Sequence, residues 1–133
     1  MTPEQILKMP ASEYMGEAQH EFFRSLLLKQ REEALARMDG HKKALAELKP
    51  LPDPLDAATV EEERSEIGRS IARENSALRA ISSALMAIEE DEYGYCSGTG
   101  EEIGLDRLLV HPTALLSVEE QERQERVSAH HLR

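Results

Sequence analysis

Two aspartates three residues apart, Asp53 and Asp56, sit in the segment Pro50-Leu51-Pro52-Asp53-Pro54-Leu55-Asp56-Ala57-Ala58-Thr59. Prolines at alternate positions each lack an N–H and restrict the residue before them, so no helix runs through this segment. Paired carboxylates at such a turn can hold a cation or a partner's basic surface, or they can cap the helix that begins there. Asp-Pro-Leu-Asp suits capping well. It places an acceptor at the N-cap, proline at the first helical position and an acid in the first turn, the cap alone being worth about 1 kcal/mol. From spacing alone capping is the stronger reading. The two readings coexist, because a cap that fixes the turn also aims its neighbour.

A second constellation lies further on. Cys96 and Thr99, then Ser117 and Glu120, form the frame C-x2-T…S-x2-E with 17 residues between the pairs. That is the frame of a C-x2-C…C-x2-C zinc ribbon. Thr and Ser hydroxyls are neutral at pH 7 and are poor zinc ligands, and one thiolate with one carboxylate cannot close a structural site. No metal is therefore expected. Zinc held through Cys96 and His111 is the weaker alternative, and for His130 and His131 a frayed terminus is the plainer reading. Cys96 reads as a small buried side chain, with no basic neighbour in sequence to lower its pKa for redox chemistry. Tyr93, Tyr95, Ile103, Leu105, Leu108, Leu109, Leu115 and Leu116 can supply an apolar core around it. No glycine-rich phosphate loop, Ser-His-Asp set or catalytic acid pair is present in the sequence, so an enzyme is not expected.

Long helices must position these residues. Thr2-Pro3-Glu4-Gln5 predicts a short capped N-terminal helix that Pro10 ends. A second helix is expected from near Ser12, or a little later, to about Leu48. Its coiled-coil seam is Leu28, Leu35, Met38, Leu45 and Leu48, with Arg31 and Lys42 also at seam positions. After the proline turn, Val60, Ile67, Ile71, Leu78, Ile81, Leu85 and Ile88 carry the same period, interrupted by Glu74. Two such arms joined by a short turn should pack antiparallel, as a rod roughly 50 Å long. Gly94 marks the end of the second arm. From Tyr93 to Leu116 the chain is turn-rich, and Ser117 with Glu120 reads as a capping box opening a final helix over Glu119–His130. Arg123, Arg126 and Arg133 then fall in or after its later turns, where cations complement the helix dipole. The acidic runs Glu61–Glu63 and Glu89–Glu92 read as solvated helix faces.

The expected fold is thus mainly α: a long antiparallel coiled-coil hairpin plus a small globular head, with a degenerate zinc-finger-like segment and a C-terminal helix. Residues 1–17 would form an N-terminal segment of the head, 18–92 the hairpin with its tip at 49–59, and 93–133 the finger-like region and last helix. Composition agrees, with 4% aromatic and 32% charged residues favouring long helices over a large core. A formal net charge of −10 argues against a direct, specific DNA-binding surface, though not against a partner that handles nucleic acid. A single cysteine excludes an intramolecular disulfide. The opening TPEQILKMP has no apolar leader, and no stretch reaches the roughly 20 apolar residues of a membrane span, so a cytoplasmic protein without membrane contact is expected. A hairpin that satisfies its own seam predicts a monomer.

Several segments together resemble the DksA/TraR family of bacterial RNA polymerase secondary-channel factors. They are YMGEAQHEFFR from Tyr14 to Arg24, PDPLDAATVEEE from Pro52 to Glu63, DEYGYC from Asp91 to Cys96, EEIGLDRL from Glu101 to Leu108 and HPTALL from His111 to Leu116. The resemblance covers nearly the whole chain and implies a coiled-coil hairpin on a small head, usually with a four-cysteine zinc site. Here only Cys96 survives among the four ligand positions, with Thr99, Ser117 and Glu120 at the others, which resembles a zinc-independent paralogue. The resemblance further implies that the hairpin enters the polymerase secondary channel, with Asp53, Asp56 and Ala58 at the tip near the catalytic centre. It implies modulation of open-complex stability at stringent-response promoters, together with the alarmone ppGpp as co-effector. At the family's basic contacts for that ligand this chain carries Ala80, His111 and Gln121, with Arg73 and Arg79 nearby. The candidate ppGpp region is therefore Arg73, Arg79, His111 and Gln121. The alternatives are a Gre-like transcript-cleavage factor, a coiled-coil adaptor with no transcriptional role and a zinc sensor.

Overall fold

Local sequence signals set the helix boundaries. The computed structural model describes residues 1–131, so Arg133 lies outside the described residues, as does the His131 side chain. Helix α1 spans Pro3–Leu7. Thr2 caps it by accepting from the Gln5 amide at 3.2 Å, while its own amide donates to the Gln5 side chain at 2.8 Å. A short 3₁₀ turn follows at Ala11–Glu13. Met15 then takes a left-handed φ of 53°, so the long helix α2 spans Glu17–Glu47 and starts later than Ser12. Helix α3 spans Pro54–Glu89, α4 Leu105–Val110 and α5 Val118–His131. Among the described residues there is no strand, only an isolated bridge between Tyr95 and Glu102.

The chain divides into two compact units, one of them Leu28–Ile81. In this unit the arms of α2 and α3 pack as a hairpin, burying Ala34, Met38, Val60 and Ile81. Ile67, Ile71, Leu78, Leu45 and Leu48 are half-buried along the same seam. The α2 seam differs from expectation at its first two leucines: Leu28 is 36% and Leu35 47% exposed, and Lys42 faces solvent. The inward positions of α2 are one residue earlier, at Ala34 and the half-buried His41. A small Ala lets the partner helix approach closely, so backbone packing outweighs the larger apolar area of the neighbouring Leu. At the break in the α3 seam, Glu74 accepts from the Arg37 guanidinium at 2.9 Å.

The other unit joins Met1–Leu27 with the described residues from Ser82 onward. Phe23 and Tyr93, both fully buried, meet at a ring-centroid distance of 5.4 Å. The Tyr93 hydroxyl donates to the Pro112 carbonyl at 2.7 Å, which satisfies its polar end inside the core. Tyr14 donates to the Gly94 carbonyl at 2.6 Å and accepts from the Gly104 amide at 2.9 Å. Gly94 needs its lack of a side chain. Its φ is 89°, and a Cβ there would lie 2.4 Å from Met15 Cγ. Of the apolar residues expected around Cys96, Tyr93 and Leu108 are fully buried and Tyr95 remains 37% exposed. Ile103, Leu105, Leu109, Leu115 and Leu116 are half-buried. Ile6, Met15, Phe23, Leu27, Ala84 and Ile88 complete this core.

Candidate functional site: an acidic turn and a remodelled finger frame

At the turn between α2 and α3 the two aspartates do different things. Asp53 Oδ1 accepts from the amides of Leu55 at 2.8 Å and Asp56 at 3.3 Å. Its carbonyl also accepts from the Ala57 amide at 2.8 Å, starting the helical ladder. Asp53 is therefore the N-cap of α3, with Pro54 at the first helical position, as Asp-Pro-Leu-Asp predicts. Asp56 is exposed in the first turn, and no described side chain bonds its carboxylate. Ala58 is exposed close by. The turn presents one carboxylate consumed by the backbone and one available to a partner.

The frame of Cys96, Thr99, Ser117 and Glu120 does come together in space. The segment from Cys96 to Gly100 closes as a turn, with the Gly100 amide on the Cys96 carbonyl at 2.7 Å. The Ser97 amide donates to the Leu115 carbonyl at 2.8 Å and ties the first pair to the second. Burial pushes the Cys96 thiol up, but hydrogen bonds from the Thr99 hydroxyl, the Ser117 and Gly98 amides and the Ser117 hydroxyl outweigh it, and the pKa falls to about 6. Hydrogen bonds thus lower this pKa where the sequence offers no basic neighbour.

Glu120, 6% exposed, closes the frame from the other side. Its carboxylate accepts from Arg123 at 2.7 Å and from Gln124 at 3.1 Å, and these bonds draw its pKa down to about 2. Only half of the expected capping box forms. Ser117 Oγ accepts from the Glu120 amide at 3.2 Å, while the Glu120 side chain turns to Arg123. Arg123 and Gln124 were legible only as residues three and four positions beyond Glu120 on a helix, the spacing at which side chains meet. A Cβ on Gly98 would lie 2.9 Å from Glu120 Cγ, so the glycine lets this carboxylate close on the turn.

These residues do not fit zinc. Two of the four positions are neutral hydroxyls, and the Glu120 oxygens are committed to a guanidinium and an amide. Among the described residues no group of three or more His, Cys, Asp or Glu could hold a metal ion.

The candidate ppGpp residues are divided between the units. Arg73 and Arg79, in the 28–81 unit, donate to Ser70 at 2.9 Å and Ser76 at 3.1 Å. His111 is exposed in the other unit, where the Gln121 side chain accepts from Arg107 and donates to Glu125. No described helix is long and apolar enough to cross a membrane.

Comparison with known proteins agrees with both halves of this description. Residues 19–88 match the family described as DnaK suppressor protein DksA, N-terminal domain, and residues 91–126 match the prokaryotic dksA/traR C4-type zinc finger. The RNA polymerase-binding transcription factor DksA of Caulobacter vibrioides is 40% identical over 114 residues, covering 85% of this chain and 80% of the relative. That of Escherichia coli K12 is 37% identical over 111 residues, covering 83% and 74%. The solved structure of transcription factor DksA2 from Pseudomonas aeruginosa superposes with a TM-score of 0.86 at 43% identity, covering 96% of this chain and 99% of that one. With its helical hairpin, acidic turn and cysteine-poor finger frame, the chain belongs to the DksA family.

Proposed function

We propose that this protein is a transcription regulator that binds bacterial RNA polymerase, a regulator rather than an enzyme. It enters the secondary channel with the turn at residues 49–59 leading, and modulates open-complex stability at stringent-response promoters. The observation that carries this reading is the α3 start, where Asp53 rigidly caps the helix and leaves the Asp56 carboxylate exposed and unengaged by described side chains. Such a group biases a conformational equilibrium of the partner by binding one state better than the other. The relatives named above are RNA polymerase-binding transcription factors. Residence in the cytoplasm, a monomeric state and the absence of specific DNA contacts belong to the same proposal.

Two finer features go with it. The protein acts without zinc, because the hydrogen-bonded frame around Cys96 stands where a metal site would. The alarmone ppGpp is its co-effector, for which Arg73 and Arg79 in one unit and His111 and Gln121 in the other are separate candidate residues, with fewer cations than a polyphosphate favours.

The test is transcription from a ribosomal RNA promoter by purified bacterial RNA polymerase, with and without ppGpp, in the presence of a zinc chelator. Wild type should inhibit, and Asp56→Asn should lose most of that inhibition while folding normally. No inhibition by wild type would refute the polymerase assignment. Inhibition that vanishes only with chelator would refute zinc independence.

A further inference from the structure

Gly40 lies inside α2 and Gly68 inside α3, and both are exposed. Glycine within a helix costs stability against alanine, and a close approach that leaves no room for a side chain is the usual reason to keep it. Neither position has that reason, because an added Cβ would meet nothing within 4 Å outside its own helical backbone. One such glycine on a helix surface is ordinary. These two stand together. The bond from Arg37 to Glu74 at 2.9 Å sets the register of the arms, and both glycines lie a short way outward from it, toward the proline turn. At 1.5 Å per residue they fall within about one helical turn of each other along the hairpin.

The packing between the arms changes at the same level. Ala34, Met38 and Ile81 are buried on the inward side, and Val60 is buried near the turn. No residue from 39 to 59 or from 61 to 80 is buried, so His41, Leu45, Ile67 and Ile71 line a seam that is only half closed. Glu74 Oε2, just inward of the glycines, is buried without a partner. Few buried apolar contacts, an unsatisfied polar atom and a helix-weakening residue in each arm together lower the local stability.

We propose that the hairpin bends at the level of Gly40 and Gly68, a hinge that lets the acidic turn change its angle to the inner arms and adapt to RNA polymerase. The adaptation rests on the tip reading proposed above. A hinge needs backbone that absorbs a change in φ and ψ without a side-chain penalty, and glycine supplies that in both arms. Bending here opens only the half-closed seam and leaves the buried contacts of Ala34, Met38 and Ile81 in place.

The experiment compares wild type with a Gly40→Ala, Gly68→Ala double variant by amide hydrogen exchange, thermal melting and the promoter assay. Asn75→Ala is the control. Asn75 is exposed on α3 about two turns from Gly68, so alanine there adds helix propensity without touching the hinge. In wild type, amides at 41–45 and 68–72 should exchange about tenfold faster than those at 34–38 and 78–81. The double variant should slow that exchange about tenfold and melt about 5 °C higher. It should also need roughly threefold to tenfold more protein for half-inhibition. Uniform exchange along the wild-type arms overturns the hinge. Slowed exchange with equal or stronger inhibition overturns its use on the polymerase, and so does an equal loss in Asn75→Ala, since added helix stability alone would then explain it. Full promoter activity of Asp56→Asn overturns the tip reading, and the adaptation with it, while the exchange pattern still reports on the bend itself.

Discussion

Cys96 is a buried thiol surrounded by hydroxyl and amide donors rather than by other sulfurs. A neutral thiol has little use for so many donors, whereas a thiolate accepts them all, which is why burial loses to hydrogen bonding here. Its folded pKa of about 6 lies below the ordinary 9.0. The stability linked to the thiolate is therefore fully present above about pH 9 and is lost as pH falls through 6. Thiolate absorbance in the ultraviolet should titrate with a midpoint near pH 6, and Thr99→Val should move that midpoint up. A midpoint at the ordinary thiol value would contradict the donor arrangement. Cys96 was legible in the sequence as the one survivor of a metal frame, with Glu120 as a replacement at another ligand position. The lowered pKa of Cys96 was not, because it depends in part on amides of Gly98 and Ser117 that carry no side-chain signal.

The helices were legible to different degrees, and the reasons are physical. Proline and aspartate at the α3 start act locally, so the cap at Asp53 could be read directly and is found. The α3 stripe from Val60 to Ile88 could also be read, since branched apolar residues dominate it. In α2 the reading followed leucine, and the true seam passes through Ala34, a residue whose value lies in being small. Glu74 is the interruption that both sequence and structure mark. Its side chain is 15% exposed, and its Oε2 is buried without a partner while Arg37 holds the other oxygen. A half-satisfied buried carboxylate is a poor use of a seam position. Glu74→Leu should extend the stripe between Ile71 and Leu78 and raise the melting temperature by about 3 °C. A lower melting temperature would mean that the Arg37 pair contributes more than the apolar seam would.

For the whole molecule, the proposed zinc independence requires the finger region to hold its shape through packing and hydrogen bonds, without the roughly 10 kcal/mol or more that structural zinc contributes to finger peptides. Tyr93, Leu108 and the Phe23 ring fill that role, with Glu120 and Arg123 across the frame. The melting temperature should therefore be the same in strong chelator and in micromolar zinc, within about 1 °C. A zinc-dependent rise would show that Cys96 recruits a metal after all. The unit containing this frame is built from two stretches distant in sequence, Met1–Leu27 and the residues from Ser82 onward. During synthesis, then, the first stretch emerges long before its partners exist. Ile6, Met15 and Phe23 must wait for Ile88, Tyr93 and Leu108 to leave the ribosome. Closing so long an intervening segment as a free loop would be entropically costly and slow. A hairpin zipping from its proline turn, with only local contacts at each step, would bring the waiting ends together along the way. The same arms that carry the acidic turn would thereby also set the order in which the protein assembles.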